Sequence, residues 1–339
     1  MKRRSFLQRL TGTAAALSAT SCSQISTGRK LKPIGVVPQR TFGETGLRVS
    51  MLGFGSHLMK ELIGKPQLRD SLIKYGFENG INMFDVYDHG GYKQFEPMST
   101  SIRDFRKEIL VSLVAVEPTD RMQNEIDGAL TTFHTDYIDL YRVQRVDDDR
   151  MRILEKSRDA GKVRKIGIVS HSGDAIMKHL DTYGDLLDFV MIVYNFHHHM
   201  GRPKDGEGWP PNTYEALIPR CRRMNLGILG IKPMGSDDMI AFARKKGYFS
   251  DSRGSAPQAM LRYVYNAPEI HCAMPAMNSM EELITNIRSS LKPQISKPEL
   301  DMLADLSREA EALKGVYLRP HYRWLENWAG KRELDKRQA

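Results

Sequence analysis

Residues 137–170 read YIDLYRVQRVDDDRMRILEKSRDAGKVRKIGIVS, and this stretch contains one complete strand–helix–strand unit. Tyr137–Gln144 and Val163–Ser170 are short runs of apolar and β-branched residues, which are typical of buried strands. Met151–Ala160, between them, has the spacing of a helix. Two strands joined by such a helix are expected to pair in parallel through a right-handed crossover.

The same alternation continues on both sides of this unit once residue 40 is passed. The predicted strands are Met51–Ser56, Asn82–Tyr87, Ile109–Val116, Tyr137–Gln144, Val163–Ser170, Phe189–Phe196, Leu226–Pro233 and His271–Ala276. Helical patterns that separate them include Gln67–Asn79, Thr119–Phe133, Met151–Ala160, Thr213–Asn225 and Met280–Leu291. A Rossmann sheet needs a Gly-x-Gly-x-x-Gly turn after its first strand, but Gly53-Phe-Gly55 is followed by Ser-His-Leu. The sequence therefore predicts an α/β fold, a (β/α)₈ TIM barrel.

Segments before and after the repeat predict additions to the barrel. Arg40–Val49 precedes the first strand and has the pattern of a hairpin that closes the bottom of the barrel. Pro298–Lys314 predicts a C-terminal helical extension, and the aromatic segment Tyr317–Trp328 is expected to fold back over the barrel. We therefore expect one barrel domain over residues 31–330, followed by a basic tail at 331–339.

Residues 1–30 have the pattern of a signal peptide and linker. A basic start is followed by the short, weakly apolar segment Leu10–Ala19. Arg3 and Arg4, followed by Phe6, are similar to a twin-arginine signal, which implies a bacterial source and the twin-arginine export machinery as a partner. We expect an exported protein, periplasmic or in the cell envelope. Cys22 also stands in a weak lipobox pattern, and the membrane is expected as a partner only if this cysteine is lipidated.

Composition excludes several classes of function. The 339 residues are 41% hydrophobic, and no apolar run beyond the leader is long enough to span a membrane. The net charge of +9 is scattered along the chain. A nucleic-acid surface usually concentrates its charge, so no nucleic-acid partner is expected. Three cysteines are too few for a disulfide framework or a four-thiolate metal centre, and no metal site is predicted.

Seven motifs, in order along residues 40–292, resemble the aldo/keto reductase family. They are Arg40–Gly55, Gly80–Asp85, Asp136–Tyr141, Gly161–Gly167, Val193–Asn195, Ile231–Gly235 and Met274–Asn278 with Glu282 and Asn286. The resemblance implies reduction of a carbonyl by hydride transfer from NADP(H) or NAD(H), with a tyrosine hydroxyl donating the proton. A tyrosine has a pKa of about 10 and is a weak acid at neutral pH. In the family a lysine, held by an aspartate, and a histidine tune it.

On the catalytic side the resemblance is partial. Asp85 matches the family's aspartate, and Tyr92 matches the tyrosine if two residues are inserted before it, with Tyr87 as second choice. Tyr92 as a mere rim aromatic is the alternative. Val114 stands where the lysine is expected, and Gln144 stands in place of the histidine.

Histidines elsewhere are the candidates to replace the missing acid. His89 lies on the same loop as Asp85 and Tyr92 and has the right acidity to act near neutral pH. Residues 197–199 are three consecutive histidines, for which a loop or surface role is favoured over metal binding, because neighbouring side chains do not all point one way.

The resemblance also implies a set of residues that hold the nicotinamide nucleotide. These are Ser170, Tyr194 (stacking on the nicotinamide), Lys232, Pro233, Gly235, Ala276, Met277, Asn278, and the adenine contacts Glu282 and Asn286. Asn278 stands where an arginine often binds the 2′-phosphate, so NADP and NAD both stay open.

Three functions fit these residues. The first is an exported NAD(P)H-dependent oxidoreductase with an altered proton-transfer site, acting on a small carbonyl or sugar-derived substrate. The second is a barrel that binds a nucleotide or small ligand without turnover. The third is a hydrolase or lyase that uses Asp85 with His89.

Overall fold

The strands of the chain form a small hairpin and one parallel sheet. A computed structural model describes residues 31–55, 62, 64–86, 94–115, 117–170, 172–197, 214–235 and 237–312. The strands are β1 (Gln39–Thr41), β2 (Arg48–Ser50), β3 (Met83–Val86), β4 (Leu110–Ala115), β5 (Ile138–Val143), β6 (Val163–Ser170), β7 (Phe189–Val193), β8 (Gly227–Ile231) and β9 (Cys272–Met274). β1 and β2 pair antiparallel, and β3 to β9 pair in sequence order, all in parallel.

Residues 52–55 join the two edges of this parallel sheet. Leu52 forms a parallel bridge with Ala273, which lies in β9, and Phe54 forms one with Phe84, which lies in β3. The backbone N–H of Gly55 adds a hydrogen bond to Pro275 O. Residues 52–55 therefore take the place of the first of the eight predicted strands and close the sheet into the predicted TIM barrel.

Helices follow the strands in the expected alternation. They are α1 (Pro66–Glu78), α2 (Phe95–Ile102), α3 (Met122–Phe133), α4 (Asp148–Asp159), α5 (Gly173–Tyr183), α6 (Tyr214–Arg223), α7 (Asp237–Lys245), α8 (Ala256–Tyr265), α9 (Met280–Leu291) and α10 (Lys297–Ala312). Caps define several of their starts, since Asp147, Ser172 and Ser279 each accept a backbone N–H of the first turn. No helix among the described residues is long and apolar enough to cross a membrane.

Alternate residues of each strand face the inside of the barrel. The interior cluster consists of Phe42, Val49, Met83, Val114, Leu140, Val169, Phe189, Met191, Leu229, Cys272 and Met274. The remaining strand residues face the helices and form a second, larger apolar layer. This pattern is expected of a barrel whose interior is filled with side chains rather than open.

The hairpin β1–β2 closes the bottom of the barrel, as the sequence predicted. Phe42, in the turn, is fully buried, and its ring lies 5.9 Å from that of Phe189 on β7. The ring of His271 meets Phe42 edge-on at 5.5 Å. Gly227 makes room for this insertion, because a Cβ there would lie 2.4 Å from Phe42 Cε2.

The C-terminal extension is confirmed as α10, which packs its apolar side against α7 and α8 in a separate cluster. The aromatic segment and the basic tail lie outside the described residues, and so do residues 1–30. The domain limits at 31 and 330 stay predictions.

Candidate active site

Three polar side chains occupy the interior on neighbouring strands, two of them one residue before the C-terminal end and the third midway along its strand. They are Asp85 of β3, Ser112 of β4 and Arg142 of β5, with 4%, 0% and 3% of their surfaces exposed. Asp85 is paired with Ser112 in the strand register, and the strands place all three on the inward face, since Met83, Val114 and Leu140 beside them belong to the interior cluster. Active sites of barrels of this type form at the C-terminal ends of the strands.

Arg142 binds both other members of this group. Its Nη1 lies 2.6 Å from Asp85 Oδ1, and its Nη2 donates a hydrogen bond of 3.0 Å to Asp85 Oδ2. Nη1 also donates to Ser112 Oγ at 2.7 Å. Two contacts between a guanidinium and a carboxylate fix the relative orientation of both groups. We call Asp85, Ser112 and Arg142 the polar floor.

Gln144 lies just beyond the end of β5, two residues after Arg142, and is half-buried. Its place after the last residue of β5 puts it at the C-terminal end of the strand, where active sites of such barrels form. Its amide is able to donate to and accept from a substrate oxygen. Tyr87, His89 and Tyr92 lie outside the described residues, so their roles stay predictions.

At the end of β7, Tyr194 lies in the layer between strands and helices. Its side chain is 8% exposed, and its ring lies 6.3 Å from the ring of Tyr263 on α8. Burial raises the pKa of Tyr194, and burial also raises the pKa of Tyr263, to about 12. Stacking on a nicotinamide stays a prediction for Tyr194, whose exposed surface is small.

Asn195 connects the ends of β7 and β8. Its Oδ1 accepts the backbone N–H of His197, and its Nδ2 donates to the carbonyl of Lys232. His197, the first of the three consecutive histidines, is 6% exposed, and its Nδ1 lies 2.8 Å from Ser307 Oγ on α10. Burial lowers the pKa of His197 to about 4. His197 is therefore a core residue and not the loop or surface residue expected. His198 and His199 lie outside the described residues.

A tight turn follows β8 at residues 232–235. The backbone N–H of Gly235 donates to Lys232 O at 3.0 Å, and both residues have left-handed backbone, with φ of 52° at Lys232 and 79° at Gly235. A left-handed conformation is unfavourable by roughly 1–2 kcal/mol for a residue other than glycine, and such strain is concentrated at functional sites. Lys232 and Gly235 are half-buried, whereas Pro233 is buried.

The loop after β9 leads into the capped start of α9. Ser279 Oγ accepts the N–H of Glu282, and Glu282 Oε2 accepts the N–H of Asn278 at 2.7 Å. Ala276 and Asn278 are exposed, so their side chains are accessible to a ligand, whereas the backbone N–H of Asn278 is bonded to Glu282. The side chains of two other predicted contacts point into the protein, because Met277 and Asn286 are 0% and 3% exposed. Ser170, at the end of β6, is half-buried, and its Oγ accepts the N–H of Ser172.

A model of the aldo/keto reductase family matches residues 53–308, most of the chain. The chain belongs to this family. Among curated relatives, a probable aldo-keto reductase of Glycine max is 26% identical over 215 residues, which are 57% of this chain and 58% of the soybean protein. An L-galactose dehydrogenase of Arabidopsis thaliana is 23% identical over 262 residues, 71% of this chain and 72% of the plant protein.

Solved structures of other aldo-keto reductases have the same fold. One from Bacillus halodurans, in its holo form, gives a TM-score of 0.64 at 17% identity and covers 80% of this chain and 96% of its own. One from Klebsiella pneumoniae, in complex with NADPH, gives a TM-score of 0.62 at 20% identity and covers 80% and 95%. At these identities the likeness establishes the fold and no more.

In this aldo/keto reductase, Ser112 and Arg142 of the polar floor were not predicted from the sequence. The signal was present, because Arg142 lies within a predicted buried strand and shares a face with Leu140. An arginine is almost never fully buried without a partner of opposite charge. The carboxylate of Asp85, at another strand end, was available for this role.

Proposed function

We propose that this aldo/keto reductase transfers hydride between NADPH or NADH and a carbonyl or sugar-derived substrate. The observation that carries the proposal is the polar floor, a charged pair held inside the barrel where an apolar pair of similar volume often gives equal or greater stability. A pair kept at that place, at the C-terminal ends of the strands, is best explained by chemistry there.

Several predicted nucleotide contacts are compatible with a bound nicotinamide nucleotide. Ser170, the turn at 232–235 and the exposed residues Ala276 and Asn278 lie beside the strand ends and retain accessible surface. Met277 and Asn286 would contribute through backbone or packing, since their side chains are buried. A bound nicotinamide supplies the hydride, and the ammonium of Lys232 together with the positive net charge of the chain attracts its phosphates.

The remaining chemistry falls to the side chains near the polar floor. Gln144 binds the substrate oxygen through its amide and leaves proton transfer to another group, because an amide is not an acid. Tyr92 or His89 donates the proton, and Asp85 orients the loop from which they come. Both carboxylate oxygens of Asp85 face Arg142, which argues against the third function, in which Asp85 acts with His89 as the base of a hydrolase or lyase.

The substrate class rests on family membership and on one relative. Carbonyl reduction is the reaction that the family resemblance implies. The similarity to an Arabidopsis L-galactose dehydrogenase favours an aldehyde or lactol of a sugar. We therefore propose sugar aldehydes and their cyclic forms as the first compounds to test.

The function is tested by nucleotide binding followed by turnover. We expect the purified protein to bind NADPH or NADH, measured by quenching of its fluorescence or enhancement of the nucleotide's, and to oxidise the nucleotide with a member of a sugar-aldehyde panel. Tyr92→Phe removes the proposed proton donor and should lower kcat by roughly 100-fold or more, with nucleotide affinity unchanged. Tyr87→Phe tests the second choice for the donor: loss of kcat in this variant with full kcat in Tyr92→Phe would transfer the role to Tyr87.

The outcomes separate the candidate functions. Absence of binding to either nucleotide contradicts the oxidoreductase. Binding without turnover on any carbonyl supports the second function, a nucleotide-binding barrel without catalysis, which the apolar Val114 and the uncharged Gln144 favour. Undiminished activity of Tyr92→Phe with loss in His89→Gln transfers the donor role to His89.

We also propose that this oxidoreductase is exported by the twin-arginine route. The support is the order of Arg3, Arg4, Phe6 and the weakly apolar segment that follows. Twin-arginine export carries folded proteins, so the nucleotide would be bound before export. Lipidation at Cys22 would anchor the protein to the membrane, and without it the protein would be free in the periplasm.

A further inference from the structure

The strand register places Arg142 beside the residue that stands where the family resemblance implies a lysine. β4 and β5 pair so that Val114 lies directly across from Arg142. Paired residues on neighbouring strands are about 5 Å apart, so the side chains of Val114 and Arg142, which both face inward, start close to each other. Val114 is 2% exposed and packs in the interior cluster, where it offers Asp85 no charge.

Asp85 cannot remain a buried carboxylate alone. A charged group away from water needs an opposite charge and hydrogen bonds, or it takes up a proton. Arg142 supplies the opposite charge, with Nη1 2.6 Å from Oδ1, and a hydrogen bond of 3.0 Å from Nη2 to Oδ2. Ser112 Oγ then accepts from Nη1 and fixes the guanidinium between β3 and β4.

One donor of the polar floor is unused within the described part of the chain. Arg142 Nε is buried and has no hydrogen-bond partner there. Buried donors are rarely left unsatisfied, so this N–H is a candidate for a bound water or a ligand oxygen. Gln144, the proposed contact of the substrate oxygen, lies two residues further along the chain, just beyond the end of β5.

The charge of Asp85 also reaches Cys272 of β9. Burial raises the pKa of this thiol, the charge of Arg40 lowers it, and the negative charge of Asp85 raises it. Cys272 is therefore a neutral thiol and adds no second negative charge beside Asp85.

We propose that Arg142 has taken over, from the adjacent strand, the cation that position 114 lacks, and that the Asp85–Arg142 pair sets the charge at the base of the substrate site. The part concerning the substrate rests on the proposed function. Arg142 acts through Asp85 and is a positioning residue. A guanidinium stays protonated at any pH at which proteins fold, so this cation, unlike a lysine, is independent of pH.

Three variants test the proposal. Arg142→Leu removes the cation. Val114→Lys combined with Arg142→Leu moves the cation back to β4 with little change of total side-chain volume, since the smaller leucine side chain on β5 frees space for the longer lysine stem on β4. Asp85→Leu combined with Arg142→Leu removes both charges and leaves an apolar floor.

The first measurement is urea unfolding at pH 5 and pH 8 without nucleotide. Arg142→Leu leaves a buried carboxylate that must bind a proton. Its urea midpoint should therefore be clearly higher at pH 5 than at pH 8, whereas the wild-type midpoint should not be higher at pH 5. Moving the cation to position 114 should restore the wild-type relation between the two midpoints. The double leucine variant should unfold at midpoints at least as high as wild type.

The second measurement is nucleotide affinity and kcat. Arg142→Leu and the double leucine variant should bind nucleotide with less than about a threefold change, yet lose roughly 100-fold or more in kcat. The variant with the cation at position 114 should recover to within about tenfold of wild type. A merely structural arginine would predict full kcat in a folded Arg142→Leu variant, in which Asp85 is retained, and that result would overturn the proposal.

The two measurements also separate this proposal from the proposed function. If wild type reduces no carbonyl, the oxidoreductase is wrong, and the urea midpoints alone then decide whether positions 114 and 142 are interchangeable. If the cation at position 114 restores neither the midpoints nor kcat, Arg142 does not occupy an equivalent position and the proposal is wrong.

Discussion

At the scale of single residues, the barrel interior depends on glycines that leave space for their neighbours. Gly227 on β8 lies against the ring of Phe42, and Gly167 on β6 lies against Phe189, where an added Cβ would come within 2.5 Å of the ring. Interiors packed this densely do not absorb an additional methyl group without displacement of the neighbours.

Gly227→Ala tests this close contact. The new Cβ would lie 2.4 Å from Phe42 Cε2, so the hairpin has to shift, and we expect a loss of about 1–3 kcal/mol in the free energy of unfolding. Gly128→Ala is the control, because Gly128 lies exposed in α3 with open space around its Cα. It should raise the free energy of unfolding by about 0.5–1 kcal/mol. Unfolding in urea measures both, and a stable Gly227→Ala would contradict the tight fit.

At the scale of elements, His197 and Ser307 connect the end of β7 to α10. His197 is buried and its pKa is lowered to about 4 by that burial. The unfolded chain binds a proton at this histidine below pH 6.5, whereas the folded chain does so only below about pH 4. The stability contributed by the neutral imidazole is therefore complete above pH 6.5 and is lost as the pH falls toward 4.

His197→Gln should accordingly flatten part of the acid dependence of stability. Between pH 6.5 and pH 4 the wild type should lose up to about 3 kcal/mol more free energy of unfolding than the variant, for a shift of this size. His179 and His271, whose pKa values are also lowered by burial, leave some dependence in the variant. Ser307→Ala keeps the buried imidazole and should keep the slope. Equal slopes for wild type and His197→Gln would contradict the effect.

The elements themselves were largely predictable, and their ends were not. Parallel strands covered on both faces have nearly continuous apolar sequences, which is why all eight barrel strands were found. The strand predicted at Phe189–Phe196 is too long. β7 ends at Val193, and the side chain of Asn195 bonds instead to the carbonyl of Lys232, just after β8. The helix predicted at Thr119–Phe133 begins with a 3₁₀ turn, and its α-helical part starts only at Met122.

The site was predictable in position but not in its partners. Asp85 follows from the likeness of Gly80–Asp85 to the family's motif. The contact with Arg142 depends on strand register, which puts residues 57 positions apart in the sequence within hydrogen-bond distance. No local pattern contains that information. The inward or outward direction of Met277 likewise follows from packing against α9 and the strands, not from its motif.

At the scale of the whole molecule, the proposed export is open to a direct test in a bacterial host with a twin-arginine system. Arg3→Lys with Arg4→Lys should keep the protein in the cytoplasm, since the route depends on the arginine pair. Fractionation of cells followed by immunoblotting measures the distribution. Cys22→Ser is the matched variant and should alter only membrane attachment. Export of the lysine pair at the wild-type level would contradict the twin-arginine route.

The left-handed backbone at Lys232 has a consequence for how this sequence can change. Glycine adopts that conformation freely, so a single substitution to glycine would relieve roughly 1–2 kcal/mol of strain. If selection acted on stability alone, it would therefore favour glycine at this position. The chain nevertheless has a lysine there, so the ammonium has to return at least that much free energy, to the fold or to a bound phosphate, for selection to retain it.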